Sequence, residues 1–148
     1  MTYDEFTLML ETKYPEMFSQ PYGGVTVSEG WWPIIESLCY SINSHVKWRN
    51  DTRARLLKDN PHDNVIPAEV PQVVILQIKE KFGGLRFYYE GGDETVRGMV
   101  TMAESWATRT CETCGKPGKS RSGGWIRTLC DEHEAERQAA MKARLGVQ

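Results

Sequence analysis

Apolar residues recur along this chain with two periods, and the points where the period changes divide it into elements. Between Thr2 and Pro15, the side chains of Phe6, Met9, Leu10 and Tyr14 fall on one helical face. Thr2 followed by Glu5 has the spacing of a capping box and Pro15 stops the run, so a first helix is predicted to end near Lys13. After the turn-forming stretch PYGGVTVSEG, Pro33 suits the first turn of a second helix, where its missing N–H has no partner to lose. Trp31, Ile35, Leu38, Ile42 and the His45/Val46 positions form its buried stripe. Residues 50–71 hold three prolines and several Asp and Asn, which predicts a loop with one helical turn around Ala54 to Lys58.

The period falls to two in VVILQIKEKFGGLRFYYEGG. Two β-rich runs meet at Gly83-Gly84, whose tolerance of positive φ suits a two-residue hairpin turn; that turn sets Phe82 opposite Leu85, Glu80 opposite Phe87 and Ile78 opposite Tyr89. The predicted core face carries Val74, Leu76, Ile78, Phe82, Leu85, Phe87 and Tyr89, with Glu80 as its only ion. An unpaired buried acid costs several kcal/mol, so Glu80 needs an open sheet end, a bulge at Lys79 to Lys81, or a cation such as Arg97. The opposite face carries Gln77, Lys79, Lys81, Arg86, Tyr88 and Glu90, and is basic with an aromatic among the cations. From Asp93 the helical period returns: Val96, Met99, Val100, Ala103, Trp106 and Ala107 predict a third helix that covers the hairpin's apolar face and leads to Cys111.

Composition narrows the class. A chain of 148 residues with 40% apolar and 26% charged residues, five Trp and six Tyr can build a core without staples. Its formal charge of −2 excludes coating nucleic acid by bulk charge, so an anionic partner must meet a local patch. The N-terminus starts with acids rather than a basic leader, and no apolar run approaches the roughly 18 residues of a membrane span, so a cytoplasmic protein with reduced thiols and no membrane partner is expected.

In that compartment the cysteines read as ligands. Cys111-x2-Cys114, fifteen residues, then Cys130-x2-His133 supplies two ligand pairs, the pattern of a closed tetrahedral structural zinc site. Catalytic zinc keeps an open position, which a fourth protein ligand fills. A knuckle, a short hairpin and a second ligand pair opening the helical stretch EAERQAAMKARL describe a treble-clef-like module. The expected fold class is therefore α+β: helices packed on a small antiparallel β-hairpin-based sheet over residues 1–109, then a C-terminal zinc-knuckle module and helix over 110–148. A third strand is expected from GGVTV or from residues 65–71, because one hairpin alone is marginal.

Between Gly115 and Leu129 lie Lys116, Lys119, Arg121 and Arg127 without one acid. Together with Lys79, Lys81 and Arg86 they predict a basic face for nucleic acid, with phosphate contacts from amides at Gly118, Gly123 and Gly124 and base stacking on Tyr88 or Trp125. The bland alternative keeps these cations for solubility and packs Trp125 on the last helix. No catalytic residue is expected. The treble clef is also the scaffold of His-Asn-His nucleases, but there the catalytic His lies within the clef. Here none lies between Cys114 and Cys130, and His62 stands far upstream, so a metal-dependent nuclease is a distant alternative. His45 reads as a helix-face histidine, His62 as a solvated loop residue and Cys39 as a small core residue.

The combination QIKEKFGGLRFYYEG, a following amphipathic helix, CETCGKPG and LCDEH resembles a group of small bacteriophage- and prophage-encoded proteins, best over residues 73–137. The resemblance implies a bacterial cytoplasmic setting and an accessory role, and it supplies no catalytic residues. The expectation is a zinc-stabilised binding protein whose partner is nucleic acid or, alternatively, a host protein that it inhibits or adapts, including a defence protein. No small-molecule substrate is predicted.

Overall fold

The computed structural model describes residues 1–59 and 65–146, and the expected solvated position of His62 lies outside them. The architecture is α+β: helices α1 (Tyr3–Lys13), α2 (Trp32–Asp59), α3 (Glu94–Ala107) and α4 (Asp131–Arg144), and strands β1 (Val25–Thr26), β2 (Val74–Lys81), β3 (Gly84–Glu90), β4 (Lys119–Arg121) and β5 (Arg127–Leu129). The first three strands make one sheet in the order β1-β2-β3, and β4-β5 makes a separate hairpin. Among the described residues no helix is long and apolar enough to cross a membrane.

The capping box forms as spaced: Thr2 Oγ1 accepts the Glu5 N–H at 3.2 Å and the Thr2 N–H donates to Glu5 Oε2 at 2.7 Å. α1 buries Phe6 and Leu10, with the Phe6 ring stacked on Trp32 at 4.6 Å. Ile35, Leu38, Cys39, Ile42 and Val46 of α2 continue this core. α2 runs through residues 50–59, where a loop was expected, because Arg, Leu and Lys there favour helix and no Pro or Gly intervenes before Pro61. Asn50, a loop signal by composition, turns its amide to a distant segment: Nδ2 donates to Val70 O at 2.9 Å and Oδ1 accepts the Val70 N–H at 2.8 Å.

GGVTV does supply the third strand, but β1 lies parallel to β2, so the sheet is mixed rather than antiparallel throughout. A helical crossover through α2 separates the two strands, which is the connection that parallel neighbours require. The hairpin turn sits one residue earlier than expected. Lys81 pairs with Gly84, and Phe82 (φ 54°) and Gly83 (φ 75°) form the turn with both residues at positive φ. Ile78 therefore opposes Phe87 and Glu80 opposes Leu85, two residues out of the predicted register. A shift of two preserves which face each side chain occupies. The register irregularity lies between Ile75 and Gln77, not at Lys79 to Lys81; it turns Val73 and Ile75 into the core and Leu76 out to solvent. Phe82 leaves the core face as well, carried into the turn and 68% exposed.

α3 is capped by Asp93, whose Oδ1 accepts the Val96 N–H at 3.0 Å. His45 reaches Asp93 Oδ2 at 2.8 Å, tying α2 to the start of α3. Val96, Val100 and Ala107 are buried and Met99 and Ala103 pack beside them. Trp106, expected on the same stripe, is exposed, because it lines an open groove against Pro33 and Ile34 near the start of α2.

Candidate metal centre

The ligand cluster grows out of two local structures. In the first, the chain folds back after α3: the Gly115 N–H donates to Cys111 O at 2.8 Å, the Cys111 N–H donates to Lys116 O at 2.7 Å, and Gly115 adopts φ 79°. This knuckle turns Cys111 and Cys114 toward one point. In the second, Cys130 caps α4 and its sulfur accepts the His133 N–H at 3.5 Å, so the first helical turn presents Cys130 and His133 together. The four ligand atoms all lie within 4.8 Å of one another and could hold one metal ion. Cys114 Sγ lies 3.8 Å from Cys130 Sγ, and His133 Nδ1 lies 3.6 Å from Cys111 Sγ and 3.2 Å from Cys130 Sγ. The far nitrogen of His133 is 3.9 Å from the exposed Glu136 carboxylate, beyond hydrogen-bond distance. Burial opposes ionisation of the Cys111 thiol, but the N–H groups of Cys130, Cys114 and Thr113 outweigh it and bring the thiol down to about 6.

Three hydrogen bonds to backbone carbonyls fasten this cluster to the core. The Gly30 N–H donates to Glu112 O at 2.9 Å, Trp31 Nε1 donates to Thr110 O at 2.9 Å, and Thr128 Oγ1 donates to Gly83 O at 2.6 Å. Gly30 approaches so closely that a Cβ there would collide with the Cys111 carbonyl. The Gly83 contact seats the tip of the β2-β3 hairpin against β5 of the other hairpin.

The basic side chains divide into two groups. Arg127 Nε donates to Glu112 Oε1 at 2.6 Å, and Arg121 donates to Asp131 at 2.7 Å and to Leu129 O at 3.1 Å. These two arginines are internal fasteners rather than free cations, and the predicted patch loses them. The Gly118 amide, expected for phosphate, is taken by Arg109 O at 2.9 Å. Lys79, Lys81, Lys116 and Lys119 form no ion pair among the described residues; Arg86 donates only to the carbonyl of Leu85, at 3.1 Å. Lys79 and Arg86 are direct cross-strand partners, and Lys79 Nζ lies 5.6 Å over the Tyr88 ring.

Glu80, half-buried beside the turn at the end of the sheet, takes neither the bulge at Lys79 to Lys81 nor the Arg97 cation. Its Oε1 accepts the Gly83 N–H at 2.7 Å, so the carboxylate caps the hairpin turn. Arg97 pairs instead with Glu94, at 3.7 Å. Two residues that carry the site have no sequence signal of their own. Glu112 is 6% exposed and anchors Arg127. Arg137 of α4 donates to the carbonyls of Ser122, Gly123 and Trp125 at 2.8–3.1 Å and clasps the β4-β5 loop, leaving the Trp125 ring 74% exposed instead of packed on the helix. No protein-family model, curated protein or solved structure matches this chain.

Proposed function

We propose that this chain is a non-enzymatic binding protein in which a zinc-stabilised, treble-clef-type module props a basic sheet face against nucleic acid. The zinc assignment is supported by ligand chemistry and spacing. Zinc bonds of about 2.3 Å to sulfur and about 2.0–2.1 Å to nitrogen set tetrahedral edges near ~3.8 Å and ~3.6 Å, and two of the edges measure 3.8 Å and 3.6 Å. The ion's role is structural: four protein ligands fill its shell, and the 38 residues from Cys111 onward have too small an apolar cluster of their own to hold together.

The observation that carries the functional reading is the outer face of the sheet. Lys79 and Arg86 sit side by side there, Tyr88 lies beneath the Lys79 ammonium, and Lys81 continues the row to the β2-β3 turn that meets β5. The phage-like resemblance of this hairpin agrees with an accessory, non-catalytic role. Binding should fall steeply with salt, with a log–log slope near about −4 on duplex DNA for four or five neutralised phosphates. Lys79→Glu with Lys81→Glu should abolish it. A salt-independent interaction, or one that survives this double reversal, counts against the reading, and fewer than about one zinc per purified chain by mass spectrometry counts against the module.

The open groove between α2 and α3 favours a second reading. Ile34, Leu38, Met99, Met102 and Trp106 line a cleft of about 510 Å³, the kind of apolar surface by which an adaptor or inhibitor holds a host protein. Salt-insensitive capture of one bacterial protein, lost in Trp106→Ala, would select it.

A further inference from the structure

Phe82 occupies a position that stability alone does not explain. It has positive φ in a two-residue turn where Asn or Gly is favoured, and its ring is 68% exposed. The backbone is strained for a side chain that adds little to the core. The Lys81 ammonium lies 5.8 Å over this ring.

A second exposed ring, that of Trp125, belongs to the β4-β5 loop whose strand β5 meets this turn. Gly83, the next residue in the turn, packs so tightly on β5 that a Cβ there would lie 3.2 Å from Ile126 O. Trp125 precedes Ile126 on the loop that Arg137 clasps. Phe82 therefore stands at the tip of the β2-β3 hairpin, Trp125 in the β4-β5 loop one residue before the Ile126 that Gly83 approaches, and Tyr88 on β3 of the larger sheet.

The charges around these rings are sorted. Glu80, Glu112 and Asp131 are engaged by the Gly83 N–H, Arg127 and Arg121 respectively. Arg121, Arg127 and Arg137 point their donors at protein acceptors, whereas Lys79, Lys81, Lys116 and Lys119 form no ion pair among the described residues, and the Lys79 and Lys81 ammonium groups lie over the Tyr88 and Phe82 rings. Lysines act as point charges for phosphate, while bidentate guanidinium groups are the usual readers of guanine edges.

We propose that the ligand is single-stranded nucleic acid, held by base stacking on Phe82, Tyr88 and Trp125 with lysines on the phosphates, and with little sequence selectivity. The proposal rests on the nucleic-acid reading above and adds to it the strand state and the contacts that supply affinity. A duplex hides the faces of its bases; an open strand offers them to exposed rings.

Fluorescence anisotropy of the zinc-loaded full chain tests this with fluorescein-labelled oligothymidylate and oligouridylate of about 20 nucleotides and a duplex of equal length. At least one single strand should bind about tenfold or more tighter than the duplex, and Phe82→Asn and Trp125→Ala should each weaken that binding by about 5- to 100-fold. Asparagine suits the turn, so Phe82→Asn should melt no lower than wild type, which separates lost stacking from lost folding. Equal affinity for strand and duplex overturns the inference, as does unchanged binding in both variants. If Lys79→Glu with Lys81→Glu still abolishes binding in that case, the broader nucleic-acid reading stands; if wild type binds no probe, both fall.

Discussion

Replacing Arg127 with alanine should loosen the C-terminal half of the molecule and leave nucleic-acid affinity nearly unchanged. Glu112 is buried, with Oε1 held by Arg127 Nε at 2.6 Å and Oε2 held only by the Thr128 N–H at 3.4 Å. Truncating Arg127 strands a carboxylate beside the Cys/His cluster with one long hydrogen bond. Breaking a fully buried pair costs about 3–5 kcal/mol. The Arg127 side chain is 34% exposed, so water can enter behind it, and the loss should fall to about 2–3 kcal/mol. At roughly 2–4 °C per kcal/mol for a chain of this size, the melting temperature should drop by about 4–12 °C.

Thermal melts by circular dichroism in zinc-containing buffer provide the assay, with Glu112→Gln and the double variant alongside. The Glu112→Gln/Arg127→Ala double variant should be more stable than Arg127→Ala alone, because no buried charge remains to be stranded. Suppose instead that Arg127→Ala melts within about 1 °C of wild type while its affinity for the oligonucleotides collapses. The division of cations into fasteners and contacts would then be wrong, and Arg127 would return to the interface.

Gly30→Ala should lower the urea midpoint by the equivalent of about 1–3 kcal/mol with zinc stoichiometry retained, since its Cβ meets backbone that cannot swing away; an unchanged midpoint would contradict the close approach of the 3-10 turn to Cys111. Burial pushes the Cys39 thiol up to about 12, so in the zinc-loaded protein it should resist alkylation at pH 8, and chelation should release three reactive thiols, not four. The same shift has a sign for stability: Cys39 keeps its proton when folded and loses it near pH 9 when unfolded, so its contribution is intact below pH 9 and is lost as pH rises toward 12. A urea midpoint that Cys39→Ala does not make less sensitive to alkaline pH would refute that assignment.

Local spacing and distant partners explain which features could be read from the residues. The capping box at Thr2, the knuckle at Cys111 and the Cys130/His133 pair depend on contacts a few residues apart, and each formed as spaced. The basic face of the hairpin persisted through a wrong register because the error was two residues, an even number that leaves every side chain on its own face. At the other end of β2 the bulge adds an odd step, and there Leu76 changed places with Ile75. Asn50 and the arginines failed for a different reason: their partners are Val70, Asp131 and Glu112, 10 to 20 positions away, and nothing in a local window distinguishes a cation with such a partner from a free one. Counting charges along 115–129 therefore merged two populations. Arg121 and Arg127 hold the Cys/His module to itself, and the lysines, which form no ion pair among the described residues, remain to meet an anion. The strength of any nucleic-acid contact should then follow Lys79, Lys81, Arg86, Lys116 and Lys119 rather than the total basic count of the loop.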